Sequence, residues 1–237
     1  PVVPISARFN INISHLIRVI QEHIPTPERN ENIDPLMVVA RSFDINKPGY
    51  KPKDMIGGIL GGAVKEGCFK SGDEIEIAPG HVYEEKNQMA IRPYTTTIEG
   101  LMSGGTKVDA VHPGGSVAVL TKLDPSIVKS DQLVGCVIGK PGTLPPVWKT
   151  LDLEVHLLDR VVGAAHEKVV NPLHKKEILM LNVNSAATVG VITELSKKRT
   201  TFQLRLPICA KVGSRVTISR RIENRFRLIG YGIILDR

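Results

Sequence analysis

The 237-residue sequence has few aromatic residues, only three cysteines and no long apolar run. No segment approaches the roughly 20 consecutive apolar residues that a membrane-spanning helix requires, so we expect a soluble protein that does not contact a membrane. Aromatic residues make up 4% of the chain, which is too few for a surface built mainly on stacking with single-stranded bases. Cys68, Cys136 and Cys209 form no CxxC motif and no Cys/His pair at zinc spacing. This pattern predicts buried thiols in a reducing, cytoplasmic compartment and no metal site.

The sequence also lacks a recognisable catalytic motif. It has no GxSxG nucleophile elbow and no HExxH motif, and its seven histidines are scattered singly, which favours structural or surface roles for them. The glycine-rich stretch 57–62 lacks the terminal Gly-Lys-Ser/Thr of a phosphate-binding loop and leads into a strand pattern rather than a helix. We therefore predict close backbone packing at these glycines and no catalytic residue in this chain.

Basic residues exceed acidic ones, 31 to 24, and the net charge of +7 favours polyanionic partners. A cluster near the C-terminus contains four candidates for a basic partner surface, namely Arg220, Arg221, Arg225 and Arg227. Strand alternation predicts that Arg225 and Arg227 share one face while Phe226 and Leu228 enter the core. Such a row of guanidinium groups can bind phosphates or carboxylates, or can simply be a solvated face packed against a neighbouring domain.

The periodicity predicts one helix followed by an all-β chain. Apolar residues recur at helical spacing behind Asn12, a good N-cap residue, and Pro25 and Pro27 end the run. From Pro35 onward, short β-branched runs alternate with turn residues. The predicted strands include Leu36–Phe43, Ile59–Lys65, Glu74–Ala78 closed by Pro79-Gly80, Thr95–Met102, Ser116–Lys122, Leu133–Gly139, Leu151–Leu157, Glu177–Val183, Thr188–Leu195, Thr200–Leu206, Arg215–Ser219 and Arg225–Ile234.

Short strands at regular spacing close on themselves, so two β-barrels fit this pattern better than one large sheet. The stiff segment 141–146, rich in proline and glycine, is the best internal boundary. We therefore predict a helix and linker over 1–34, one barrel over 35–146 and a second over 147–237. Because the sequence begins at Pro1 without an initiator methionine, we also expect it to be a piece of a longer chain.

Several segments resemble translational GTPases. Val3 to Ala7 resembles the last guanine-recognition element of the α/β GTP-binding (G) domain, which assigns Ser6 and Ala7 to that element and the helix to the end of that domain. Gly62 to Ile77 resembles the domain II barrel hairpin of elongation factor Tu-like proteins. Within that superfamily the chain is identified as a member of the family of translation initiation factor 2 gamma subunits. The segments that carry this resemblance are 41–49, 112–115, 123–125, 142–146, 157–163, 219–221 and 227–230.

This resemblance implies barrels like domains II and III of elongation factor Tu in a factor that binds GTP or GDP with magnesium. It further implies delivery of methionyl initiator tRNA to the small ribosomal subunit, together with alpha and beta subunits. The phosphate-binding loop, the switch regions and the Asn-Lys-x-Asp motif are absent from the sequence. Because phosphoryl transfer depends on those parts, we expect no bound cofactor and no GTP hydrolysis from this chain alone.

In the family the acceptor end of the tRNA lies between the G domain and the second domain. The resemblance makes five residues candidates for that surface: Arg41, Phe43, Asp44, Asn46 and Lys47. Phe43 would stack or form an apolar wall, and Arg41 and Lys47 would contact phosphates. The alternative is that Phe43 is a core residue and that 44–46 simply form a turn.

Two competing hypotheses remain for the function. One is an elongation factor Tu-like GTPase subunit that regulates sulfate activation, against which segments 41–49 and 157–163 argue. The other is a protein-docking scaffold whose basic excess is incidental.

Overall fold

The computed structural model describes residues 1–85, 88–163, 169–196 and 198–236. The chain forms two compact units, Pro1–Asn30 and Glu31–Arg237. Its helices are α1 (Ile13–His23) and α2 (Pro125–Val128), with 3-10 turns at Pro52–Asp54 and Lys129–Asp131. Its strands are β1 (Leu36–Phe43), β2 (Ile59–Glu66), β3 (Phe69–Lys70), β4 (Glu74–Glu85), β5 (Gln88–Ser103), β6 (Thr106–Val108), β7 (Ala110–Val111), β8 (Val117–Thr121), β9 (Val137–Gly139), β10 (Val147–Leu157), β11 (Ile178–Val183), β12 (Ala186–Leu195), β13 (Thr200–Cys209), β14 (Arg215–Ile222) and β15 (Arg225–Ile234).

The first unit contains the predicted helix, α1. Asn12 occupies its N-cap position but adopts a left-handed conformation with φ 58°, and its side chain forms no capping hydrogen bond. Instead, the Asn12 Nδ2 group donates a hydrogen bond to the Pro4 carbonyl oxygen at 3.1 Å. The helix therefore starts where the sequence predicted, but the expected capping hydrogen bond from the Asn12 side chain is not formed.

The second unit begins with a closed six-stranded barrel. Its strands run in the order β4-β9-β1-β2-β8-β5, and pairing of β4 with β5 closes the ring, while β6 adds to the free side of β5. The side chains that fill it alternate with outward-facing ones along each strand, as in β8, where Val117 and Val119 are buried. Met37, Leu60, Phe69, Ile75 and Ile138 are among its fully buried core residues.

A second six-stranded barrel follows, in the order β10-β13-β12-β11-β14-β15, closed by β10 and β15. Leu151, Leu153, Leu181 and Phe202 are fully buried in its core. The prediction of an all-β fold with two closed barrels is therefore confirmed, and closure leaves both barrels with few exposed strand edges.

The two barrels of this unit share a small apolar cluster. Val38, Ala78 and Val137 from the first barrel and Cys209 from the second are all buried in it. The Lys211 ammonium also forms an ion pair with the Glu66 carboxylate across the same junction. Because buried apolar contacts connect the barrels, a site on one barrel has a fixed orientation relative to the other.

Strand β4 does not end at Pro79-Gly80 as the sequence pattern predicted. It continues to Glu85 and pairs with β5, with an irregularity in the register between Ile77 and His81. Gly80 has φ +74°, and a Cβ atom there would lie 2.5 Å from the Arg92 carbonyl oxygen. A bulge next to a glycine lets the chain pass a proline without leaving the sheet, which is why the turn signal was misleading.

The glycine-rich stretch packs closely against neighbouring backbone, as predicted. A Cβ atom on Gly57 would lie 1.9 Å from the Thr121 carbonyl oxygen, and one on Gly62 would lie 1.9 Å from the Val38 carbonyl oxygen. At Gly61 the nearest atom would be 3.5 Å away. Two of these glycines are therefore required by the close approach of adjacent strands.

Candidate functional site

The candidate site begins at the end of β1, where the chain leaves the first barrel. Ser42 is 1% exposed and its hydroxyl accepts a hydrogen bond from the Leu133 N–H at 3.1 Å. Its neighbours Arg41 and Phe43 point away from the core, and Phe43 is 37% exposed. The structure therefore places the Phe43 ring on the surface rather than in the barrel core.

The loop after β1 is held by Asp44 and Asn46. The Asp44 Oδ1 atom accepts hydrogen bonds from the Asn46 backbone N–H at 2.8 Å and from Asn46 Nδ2 at 2.7 Å. The Asn46 side chain also bonds both to the Ile56 carbonyl oxygen and to the Ile56 N–H, each at 2.7 Å. The turn at 44–46, which the sequence offered as the alternative to an RNA-binding role for these residues, is formed, and it connects the two ends of the loop.

Between these anchors the loop presents apolar and basic side chains to solvent. Its exposed large apolar residues are Ile45, Tyr50, Met55 and Ile56, which are between 38% and 46% exposed. Its basic residues are Lys47, Lys51 and Lys53, against the two acids Asp44 and Asp54. A surface that combines exposed rings with cations is suited to nucleic acid, whose bases stack and whose phosphates attract charge.

Arg41 is oriented by an acidic residue that the sequence did not single out. Its Nε atom donates to the Asp131 Oδ1 atom at 2.9 Å, and the Ser42 N–H donates to the same oxygen at 2.9 Å. Both hydrogen bonds hold the pKa of the Asp131 carboxyl below its usual value, and the one from Ser42 has the larger effect. Asp131 is 90 residues from Arg41 in sequence, so no local pattern could reveal this pair.

The C-terminal basic cluster is divided by the structure. Arg220 is not part of an open surface, because its guanidinium donates to the buried Glu177 carboxylate at 2.6 Å and to the Asn171 and Pro172 carbonyl oxygens. The Arg220 side chain is only 16% exposed. An ion pair buried to this degree holds the strand end in place, so Arg220 is not available to a partner.

The other three arginines lie around the hairpin of β14 and β15. Arg221 and Arg225 are exposed, and Arg227 is half-buried beside Gly163. The predicted inward orientation of Phe226 is wrong, since this ring is 40% exposed.

A bulge explains the difference. Every second residue of β15 is buried from Ile234 back to Gly230. The register with β14 then shifts between Ile218 and Ser219, and the next residue of β15, Ile229, is buried as well. The extra residue reverses the alternation beyond it, and Arg225 pairs opposite Ile222, which packs against the barrel core.

Ser6 and Ala7 lie in a short turn in the first unit. Ser6 and Ile11 exchange backbone hydrogen bonds of 3.2 and 3.0 Å, and the Ala7 carbonyl oxygen accepts from the Asn10 N–H. These contacts fix the conformation of the turn. Within the described residues no three His, Cys, Asp or Glu side chains are grouped to hold a metal ion.

The cysteines are not all buried. Cys136 and Cys209 are buried, whereas Cys68 is partly exposed, which corrects the prediction for that residue. His166, one of the seven histidines for which structural or surface roles are expected, lies outside the described residues. In the described part of the chain, no helix has the length and apolar character needed to cross a membrane.

Comparison with known proteins identifies the family. Residues 149–234 match the family described as "Initiation factor eIF2 gamma, C terminal". Translation initiation factor 2 subunit gamma of Pyrococcus furiosus is 52% identical over 236 residues, and that of Methanocaldococcus jannaschii is 51% identical over 234 residues. These alignments cover 100% and 99% of this chain, which spans 57% of the length of either relative.

Solved structures with the same fold include those of two translation elongation factors. Translation elongation factor SelB from Methanococcus maripaludis, with a GTP analogue, is 17% identical with a TM-score of 0.70, and the match covers 99% of this chain and 50% of that one. A bacterial selenocysteine-specific factor gives 19% identity and a TM-score of 0.70, covering 98% of this chain and 33% of that one. At these identities the likeness concerns the fold alone. The identity of about half of all residues along its whole length shows that the chain belongs to the translation initiation factor 2 gamma family.

Proposed function

We propose that this chain is the tRNA-binding and subunit-docking part of a factor that delivers methionyl initiator tRNA to the small ribosomal subunit. The names of its relatives support a role in translation initiation. The observation that carries the proposed RNA contact is the exposure of Phe43 next to Arg41, at the start of a loop that adds Lys47. An aromatic ring that the barrel core leaves on the surface is available for stacking.

In this proposal the residues at the end of β1 have different roles in RNA binding. Arg41 and Lys47 contact phosphates, which supplies affinity that depends on salt. Phe43 stacks on the unpaired acceptor end or forms an apolar wall for the attached amino acid. Asp44 and Asn46 act on the loop rather than on RNA, because their side chains are occupied by hydrogen bonds to each other and to Ile56.

GTP and magnesium belong to the proposal for the whole factor in a ternary complex with tRNA. Ser6 and Ala7 would contribute to recognition of the guanine base, but the residues of this chain do not form a complete nucleotide site. The chain supplies no phosphate-binding loop, so we derive no hydrolytic step from it.

The second basic surface is the hairpin of β14 and β15, which we propose as a docking surface for the alpha or beta subunit or for the ribosome. By the strand register, Arg225 and Arg227 share one face of this hairpin, and Arg221 lies on the other face with Phe226. Its guanidinium groups can bind a partner's carboxylates or phosphates in two-pronged contacts.

The RNA contact is tested in the full-length factor by replacing Arg41 and Lys47 together with alanine. We expect the affinity for charged initiator tRNA to fall about tenfold, and the salt dependence of binding to become shallower, because two phosphate contacts are lost. The matched control replaces Lys65 and Arg205, two exposed cations elsewhere on the barrels, and removes the same charge. If both double variants bind alike, the proposed contact is wrong. Binding of the alpha subunit without any binding of tRNA to the wild-type factor would favour a protein-docking scaffold instead.

A further inference from the structure

The guanidinium group of Arg41 is held by one edge only. Its Nε atom donates to Asp131, and within the described residues neither of its terminal nitrogens forms a hydrogen bond with the protein. The Arg41 side chain is 68% exposed. The two terminal nitrogens of a guanidinium group match two oxygens of a phosphate, so the open edge is the one that suits RNA.

Asp131 is itself fixed to the barrel. The oxygen that accepts from Arg41 also accepts from the Ser42 backbone N–H, and Ser42 is buried. Ser130 and Asp131 both adopt left-handed backbone conformations, with φ 56° and 60°. Consecutive residues other than glycine adopt this conformation at an energetic cost, so the surrounding structure must hold the turn that directs the carboxylate towards Arg41.

The charge of Asp131 has the wrong sign for a surface that binds RNA. By electrostatics alone, removing this carboxylate should strengthen binding, since one repulsive charge is lost. A fixed acceptor has the opposite effect, because it orders a long side chain before RNA arrives and so lowers the entropy lost on binding. The two effects therefore predict opposite changes in RNA affinity when Asp131 is replaced by alanine.

We infer that Asp131 is a positioning residue for RNA: it holds the Arg41 guanidinium with its terminal nitrogens directed outward, and it thereby increases affinity despite its negative charge. This inference rests on the proposed function, because it requires Arg41 to contact RNA. It goes further in naming the residue that makes this contact effective.

The test is an equilibrium titration of the full-length factor with methionyl initiator tRNA. Asp131→Ala is expected to bind about three- to tenfold more weakly, which is the cost of ordering one long side chain. Asp131→Asn keeps an acceptor oxygen for both donors and is expected to bind at least as tightly as the wild type. In the Arg41→Ala background, Asp131→Ala is expected to cause no further loss, since it acts through Arg41.

Asp54→Asn is the charge control, because Asp54 is a second acid of the same surface and lies in the loop after β1. If Arg41→Ala weakens binding but Asp131→Ala binds as tightly as Asp54→Asn, the positioning role is wrong while the RNA contact stands. If Arg41→Ala has no effect, the proposed contact itself fails, and the inference fails with it. Should Asp131→Ala not fold, Arg41→Lys keeps the charge but cannot present the two-nitrogen edge. Wild-type affinity of Arg41→Lys would overturn the inference.

Discussion

Individual basic residues of this chain differ in how much of their charge a partner can use. Arg220, whose side chain is 16% exposed, is paired with the buried carboxylate of Glu177, so its charge is largely neutralised within the protein. Arg41 is exposed, and its pairing with Asp131 leaves one edge of the guanidinium open. The net charge of +7 is therefore a poor guide to the binding surface. Whether an arginine is available to a partner depends on its position and on its pairing within the protein.

The two buried thiols give a prediction about pH. Burial raises the pKa of Cys136 to about 11 and is the main cause that raises the pKa of Cys209 to about 12. In an unfolded chain a thiol loses its proton near pH 8.5. As pH rises from about 8.5 towards 11, the unfolded state therefore releases protons that the folded state retains, and the free energy of unfolding decreases.

Replacing Cys136 and Cys209 with alanine should make this decrease shallower. The measurement is urea denaturation in the presence of a reducing agent at several pH values between 8 and 10.5. Cys68→Ala serves as the control, since Cys68 is partly exposed. A double variant whose free energy of unfolding falls with pH as steeply as that of the wild type would contradict the burial of these thiols.

At the scale of elements, β1 and β2 approach so closely that position 62 requires a glycine, whereas position 61 has room for a side chain. Gly62→Ala should destabilise the protein by about 1 to 3 kcal/mol, because the added methyl group would overlap the Val38 carbonyl oxygen. Gly61→Ala should change stability little, since its Cβ atom would have room. Denaturation by urea compares the two, and equal losses would show that the strand spacing differs from the one described.

The strand pattern predicted most elements because alternation and turn residues are local signals. The bounds Leu36–Phe43 and Arg225–Ile234 are confirmed, and so is the closure into two barrels. Bulges were not predicted, since one extra residue has no signature in the sequence. They account for the continuation of β4 beyond Pro79 and for the outward position of Phe226.

The candidate site could be predicted only in part. The residues of the loop after β1 are contiguous, so the sequence located them together. The pairs that give them their geometry join distant segments, as between Arg41 and Asp131 or between Arg220 and Glu177. Such contacts depend on which strands become neighbours in the barrel, and a single sequence does not state this.

At the scale of the whole molecule, two barrels joined by a buried apolar cluster form a scaffold that carries two separate basic surfaces. The first lies at the end of β1 and the second at the hairpin of β14 and β15. Both surfaces adjoin strands of the barrels, so the fold fixes where each of them begins. The proposed assignment of initiator tRNA to the first surface is the central claim about this protein.

The most direct measurement of that claim is photocrosslinking from Phe43. A benzophenone-bearing phenylalanine analogue is placed at Phe43 in the full-length factor, and at Phe226 as a control of similar exposure, 37% against 40%. In the complex with methionyl initiator tRNA, irradiation should crosslink position 43 to the acceptor end of the tRNA, with a lower yield from position 226. If position 43 gives no crosslink, or no higher yield than position 226, the tRNA does not bind at the end of β1.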